Sequence, residues 1–310
     1  MPVQFSRGCP FQCEFCDITV MNGRVPRTKE PAQVMLELDA LHRAGWRDML
    51  FLVDDNFIGN RKRSKELLRA LIDWREISGS RICFLTEASM NLADDADLCE
   101  LMVSAGFKKV FLGIETPVEQ SLEECRKRQN SRDLADTVRT LQRYGMEVMG
   151  GFIVGFDNDP REVFQLQFDF IQRSGVVTAM VGLLNALPQT ALYQRLVREG
   201  RLLAESCGNN THAALNFISR LDRDFLLSGY RELMRRLYEP AHYYRRIHTF
   251  LRTYRARGPA PRLSGADVRA FVRSLWLRGV RRAGRRAFWR LFAASLVSGR
   301  GKFRVAMELS

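Results

Sequence analysis

The chain has 310 residues, 46% of them hydrophobic and 27% charged, enough apolar content to bury a sizeable core and to exclude a disordered tail or a small disulfide-stapled scaffold. The formal net charge is +13, but residues 241–310 hold 17 Lys+Arg against 2 Asp+Glu while residues 1–240 hold 31 against 33, so the first three quarters exert no general pull on nucleic acid. The N-terminus has no charged segment followed by an apolar stretch, and no window offers about 18 uninterrupted apolar residues, so neither export nor membrane spanning is expected.

Up to about residue 200, short apolar runs alternate with longer amphipathic segments, the pattern of βα units around a parallel sheet. The runs predict strands at residues 3–5, 49–53, 82–85, 109–113, 148–154 and 177–183. The segments after them predict helices at residues 31–44, 64–77, 94–105, 132–144, 161–174 and 190–198. Glycine stands where a left-handed C-cap is expected at Gly45, Gly106, Gly145, Gly175 and Gly200, and Pro31 and Pro160 stand near helix starts. Six units are fewer than the eight that close a full barrel, so the expected fold is α/β, a partial (βα)6 TIM-type barrel with its site at the C-terminal ends of the strands. Beyond that the β pattern stops, and helices are expected at residues 222–238, 240–257, 266–278 and 280–298. The boundary is placed near residue 205, giving a barrel over 1–205 and a mainly α-helical domain over 206–310.

Seven cysteines are present. Cys9, Cys13 and Cys16 crowd the loop after the first strand, while Cys83, Cys99, Cys125 and Cys207 are scattered and read as isolated thiols. This is not a secreted disulfide framework, so the expected compartment is the reducing cytoplasm. A structural zinc site closes a tetrahedron with four ligands, and no second Cys or His pair follows here. Ordinary iron-sulfur carriers also use four thiolates. Three thiolates leave one iron of a four-iron cluster open to a further ligand.

The run CPFQCEFC, with Phe15 before its last cysteine, resembles the C-x3-C-x2-C signature of the radical S-adenosylmethionine superfamily. The resemblance implies that Cys9, Cys13 and Cys16 hold a [4Fe-4S] cluster, that S-adenosylmethionine chelates the open iron, and that its reductive cleavage yields a 5′-deoxyadenosyl radical for hydrogen abstraction. It also implies a reducing donor such as flavodoxin or ferredoxin. By the same resemblance, Glu115 in FLGIETP is a candidate contact to the cofactor's amino acid or ribose, and Gly155 and Phe156 in GGFIVGFD lie along the adenine. Gly150 and Gly151 read as a bulge or a point of close packing. The family's Gly-Gly-Glu motif is absent from LVDDNFIGN, where Asp54, Asp55 and Asn56 stand; Asn56 is a cofactor candidate, and Asp54, Asp55 and Glu87 are catalytic or substrate-facing candidates. Asp94 and Asp95 read as a helix N-terminal cap.

Longer strings, including VDDNFIGN, GIETP and LNFISRLDRDFLLSGYRELMRRLYEPAHYY, resemble a branch with a cobalamin-binding domain ahead of the barrel and a helical domain of unknown function behind it. That branch includes methyltransferases acting on hopanoid lipids. Here Met1 lies two residues before the first strand, so cobalamin is expected on a separate chain or on a missing domain, if it is used. The expected activity is C–H functionalisation, extending to C-methylation of a lipid or another small molecule. The competing classes are a non-catalytic zinc adaptor and an RNA-modifying radical enzyme. The basic C-terminal run interleaves Trp276, Phe288, Trp289, Leu291 and Phe292 with arginines. It reads either as a helix packed on the barrel with a solvated basic face or as a peripheral contact with the inner membrane face.

Overall fold

Six apolar runs form one sheet whose strands lie side by side in chain order, each hydrogen-bonded in parallel to the next. The computed structural model describes residues 1–206, 215–258, 265–281 and 284–310; Cys207 and His212 fall outside them. The strands are β1 (Pro2–Val3), β2 (Leu50–Leu52), β3 (Phe84–Ala88), β4 (Phe107–Glu115), β5 (Glu147–Val154) and β6 (Ala179–Leu183). They alternate with α1 (Pro31–Arg43), α2 (Arg61–Ser78), α3 (Ala96–Ala105), α4 (Leu134–Tyr144), α5 (Val163–Ser174) and α6 (Ala191–Arg198). β1 and β6 remain the two edges of an open barrel. Its interior is packed with rings: Phe5, Phe57, Phe107 and Phe84 follow one another with centroids 5.1–6.0 Å apart.

Local chemistry explains where elements start. α1 begins with a capping box between Glu30 and Gln33 and with Pro31 in its first turn. The side chains of Asn60, Asp133 and Thr190 accept N–H bonds at the starts of α2, α4 and α6. The expected cap before α3 is Asp95 alone, which accepts from Leu98 N at 3.0 Å. Asp94 instead ends a 3-10 turn and pairs with Arg132. The third strand runs two to three residues later than its apolar run suggested, because the buried Arg75 guanidinium takes the Ile82 carbonyl before the ladder begins. Gly150 and Gly151 are points of close packing: a Cβ on either would stand 2.7 Å from the Phe152 ring or 2.9 Å from the Phe111 ring.

The C-terminal part contains α7 (Arg223–Tyr238), α8 (Pro240–Thr253), α9 (Gly265–Trp276), α10 (Arg285–Leu296) and α11 (Arg300–Leu309). The expected helix over 280–298 is shorter, because a π-helical turn over Leu277–Arg281 precedes it. α11 was not anticipated. Phe288 and Leu291 of α10 are buried with Tyr244, Ile247 and Phe250 of α8, while Trp276 and Trp289 stay exposed. Cys83, Cys99 and Cys125 are buried free thiols.

The edge strand of an open sheet carries backbone groups that need partners. The chain leading into and along β6 offers the carbonyls of Val177, Ala179 and Val181. Arg246 donates to Val177 from Nε and Nη2 at 3.2 and 2.9 Å, Tyr238 Oη to Ala179 at 2.7 Å, and Tyr230 Oη to Val181 at 3.2 Å. Arg246 also donates to the Leu237 carbonyl at 2.9 Å, and its guanidinium faces the Tyr238 and Tyr243 rings at 5.6 and 5.4 Å from their centroids. Its side chain is fully buried, and that burial pushes its pKa down to about 10, so it stays charged at neutral pH. Replacing it leaves two buried carbonyls without donors. Arg246→Met is therefore expected to lower unfolding stability by about 2–5 kcal/mol, read by urea denaturation.

Candidate active site

The cysteine segment is a loop closed at its base. Ser6–Arg7 pairs in antiparallel fashion with Arg27–Thr28, a two-stranded ribbon absent from the sequence expectation, so residues 8–26 leave and return at one place on the rim. Phe5 leaves the β1 ladder because Asp54, at the end of β2, accepts its N–H at 2.8 Å and the Ser6 hydroxyl at 2.8 Å. Asp55 accepts the Gly8 N–H at 2.6 Å and the Asn22 amide at 3.0 Å. Gly8 has φ +101°, and a Cβ there would lie 3.0 Å from the Gly23 carbonyl, so the residue before Cys9 has room for glycine only. Two of the three catalytic candidates thus hold the loop itself. Glu87, at the end of β3, is half-buried, and burial together with the nearby Asp55 charge raises its carboxyl pKa.

Two amides point at the sulfurs. Asn56 donates toward Cys9 Sγ at 3.7 Å while bonding Ser89 Oγ at 3.1 Å, and Gln129 donates toward Cys13 Sγ at 3.5 Å. Such donors orient a ligating thiolate and tune its electronics. Burial raises the pKa of Cys13 and pushes that of Cys16 up to about 12. Uncompensated, these groups are neutral thiols, and a positive bound group is what favours their thiolates. The Lys127 ammonium lies against the Glu115 carboxylate and 5.8 Å above the Phe15 ring, and its charge opposes the rise at Cys13.

The cofactor candidates converge on the same rim. Glu115 is buried, not solvated, and has φ +65° where the β4–β5 register shifts; a non-glycine residue held there costs of order 1–3 kcal/mol. Phe15 and Phe156 pack with centroids 6.1 Å apart, joining the cysteine loop to the end of β5. Gly155 has φ +108°, and Asp159 accepts the N–H groups of Gly155 and Phe156 at 2.8 and 3.1 Å and the Ser121 hydroxyl at 2.6 Å. The sequence reading missed Lys127, Gln129, Asp159 and the Glu14–Arg195 ion pair. Only Glu14 carried a signal, as a carboxylate inside the cysteine motif.

A model of the radical SAM superfamily matches residues 3–171, more than half of the chain, and a domain of unknown function (DUF4070) matches residues 190–310. An uncharacterized methyltransferase of Synechocystis sp. is 46% identical over 93% of this chain and 55% of its own length. The hopanoid C-2 methylase of Rhodopseudomonas palustris is 36% identical over 96% of this chain and 57% of its own. The chain thus spans about half the length of these curated relatives. Among solved structures, the radical S-adenosylmethionine methyltransferase TsrM from Kitasatospora setae, with cobalamin and a [4Fe-4S] cluster bound, matches at a TM-score of 0.63 and 17% identity, covering 100% of this chain and 61% of that one. The fold is accordingly the partial TIM barrel expected from the six units.

The family implies a [4Fe-4S] cluster and S-adenosylmethionine. The residues present fit them: three thiols on one closed loop, two amide donors aimed at their sulfurs, and a buried Gln129 Oε1 without a partner in the protein. Among the described residues no three His, Cys, Asp or Glu side chains are placed to hold one metal ion; a cluster takes one thiolate on each of several irons.

At Asp159, burial outweighs three donated hydrogen bonds and raises the pKa from 3.8 to about 6. The folded state then holds a proton that the unfolded chain has released. Stability from this group is therefore present below about pH 4 and is lost as pH rises through about 6. Asp159→Asn should flatten this slope. Relative to the variant, the natural protein is expected to lose about 2 kcal/mol between pH 4 and pH 7, measured by urea denaturation at each pH.

Proposed function

The chain belongs to the radical SAM superfamily, and on that premise we propose that it cleaves S-adenosylmethionine reductively to functionalise a C–H bond, with methyl transfer to a small molecule or lipid as the outcome. The observation that carries this reading is the closed loop of Cys9, Cys13 and Cys16, set on the C-terminal rim with amide donors at two of the sulfurs. When bound, the cluster and S-adenosylmethionine supply one-electron cleavage of a sulfonium and a hydrogen-abstracting product. Everything else falls to the protein's own residues.

In this reading the three cysteines bind the cluster, and Asn56 and Gln129 orient their sulfurs. Glu115, with Lys127, receives the polar end of S-adenosylmethionine, and the Gly155–Phe156 backbone with the Phe15 ring bounds its adenine. Glu87 is the remaining candidate for contact with the substrate, since Asp54 and Asp55 hold the loop. An electron donor such as flavodoxin or ferredoxin and a cobalamin-binding partner complete the proposal. The methyltransferase names of the relatives support the methyl-transfer part.

A cytoplasmic location with peripheral contact at the inner membrane face belongs to the same reading. No helix of the described residues is long and apolar enough to cross a membrane. Exposed Trp276 and Trp289 share the C-terminal helices with a shallow depression of about 600 Å³ lined by Arg285, Arg286 and Arg290, a combination suited to an anionic lipid surface.

Anaerobic reconstitution with iron and sulfide should yield a brown protein, and dithionite with S-adenosylmethionine should then yield 5′-deoxyadenosine, with and without added cobalamin. Cys13→Ala is expected to abolish both cluster and cleavage; a variant that retained them would refute the assignment. For membrane contact, the triple change Arg285→Gln, Arg286→Gln, Arg290→Gln should weaken cosedimentation with anionic vesicles at low salt by about tenfold or more. Equal sedimentation of both proteins would remove that part of the proposal.

A further inference from the structure

The segment from residue 190 onward matches a domain of unknown function, and its first helix reaches the cysteine loop. We propose that Arg195, on α6, the last helix of the barrel, is a positioning residue that locks the loop through Glu14. The inference rests on the reading of the three cysteines as cluster ligands.

Glu14 stands between Cys13 and Cys16, so its backbone helps set the direction of both thiols. Every polar group of this residue is held from outside the loop. Its N–H donates to the Cys125 carbonyl at 2.9 Å, and its carbonyl accepts from Leu192 N, in the first turn of α6, at 2.9 Å. Its carboxylate receives Arg195 Nε at 2.9 Å and Nη2 at 3.2 Å. A guanidinium presented as a fork fixes both distance and plane, which a single ammonium does not.

The same guanidinium reaches further. Arg195 donates to Asp157 at 2.8 Å and to Glu124 at 3.2 Å, and Asp157 is also gripped by Arg201 at 2.6 and 2.8 Å. Glu124 accepts the N–H groups of Asp157 and Asn158 at 3.1 and 2.8 Å. Asp157 follows Gly155 and Phe156 directly, so one side chain ties the cysteine loop to the segment proposed to line the adenine. The side chains of Glu14, Glu124 and Asp157 are at most 10% exposed. Buried carboxylates of this kind depend on their cation, and its loss is felt across the network. The cluster loop and the S-adenosylmethionine wall therefore share an anchor supplied by residues that the barrel family's own model does not include.

The test uses the full chain with Arg195→Lys, which keeps the charge and loses the fork, and Glu14→Ala, which cuts the loop link while Arg195 keeps Asp157 and Glu124. Both should fold, by circular dichroism, and take up the cluster. Each is expected to lose it to an iron chelator about tenfold faster than the natural protein, with an altered electron paramagnetic resonance spectrum after S-adenosylmethionine is added. Because the two residues act as one unit, the double variant should be no worse than the more affected single one. Chelation rates within about twofold of the natural protein in both variants, with unchanged spectra, would overturn the proposal. So would effects that multiply in the double variant, or cluster loss that only tracks the drop in melting temperature. A natural chain that takes up no [4Fe-4S] cluster would instead refute the reading of the cysteines, a different failure.

Discussion

A loop that must present three thiols in a set arrangement cannot do so by its own backbone when it contains almost no regular structure. Between Gly8 and Pro26 the chain makes one four-residue helical turn, Ile18–Met21, and everything else is held from outside. The loop that follows β2 supplies Asp54 and Asp55, which take the N–H groups of Phe5 and Gly8 on the approach to Cys9. α6 and the end of the short helix Glu119–Glu124 hold Glu14 between the second and third cysteines. Long-range hydrogen bonds and a forked ion pair thus substitute for secondary structure, and the loop's precision depends on the packing of the barrel around it.

The open barrel creates a second demand. A sheet that stops at six strands leaves a row of carbonyls beside β6, and a buried carbonyl without a donor is costly. α7 and α8 meet that demand with Tyr230, Tyr238 and Arg246. At the opposite end of the strands, Lys109 of β4 bridges Glu147 of β5, at 3.1 Å, and Glu308 of α11, at 2.9 Å. The C-terminal helices are therefore built onto the barrel through polar bonds as well as apolar packing, and α6 carries this continuity to the cysteine loop.

Around the thiols the charge pattern serves one purpose. Burial disfavours the thiolates of Cys13 and Cys16, Lys127 and Gln129 work against that penalty at Cys13, and Asn56 donates toward Cys9. Glu115 neutralises Lys127 in the protein alone. The buried ammonium and the backbone turn at Glu115 form a polar corner between the loop and the sheet that presents both signs of charge.

By itself the sequence determined the βα alternation, the six-strand count, the cysteine loop after the first strand and the helical character of the C-terminal part. These features follow from periodicity and from turn and cap residues such as Pro31, Gly106 and Gly145, whose effects act within a few residues. It also singled out Cys9, Cys13 and Cys16, because three thiols in eight positions have few other readings. The tertiary structure alone decided what the polar residues around them do. Asp54 and Asp55 stood as catalytic or substrate-facing candidates and hold the loop; Glu115, a candidate contact to the cofactor, is buried against Lys127. Gln129 and Arg195 carried no local signal, since they lie 116 and 181 positions from the loop residues they touch. A hydrogen bond across such a separation depends on the packing of whole elements, and no short-range pattern encodes it.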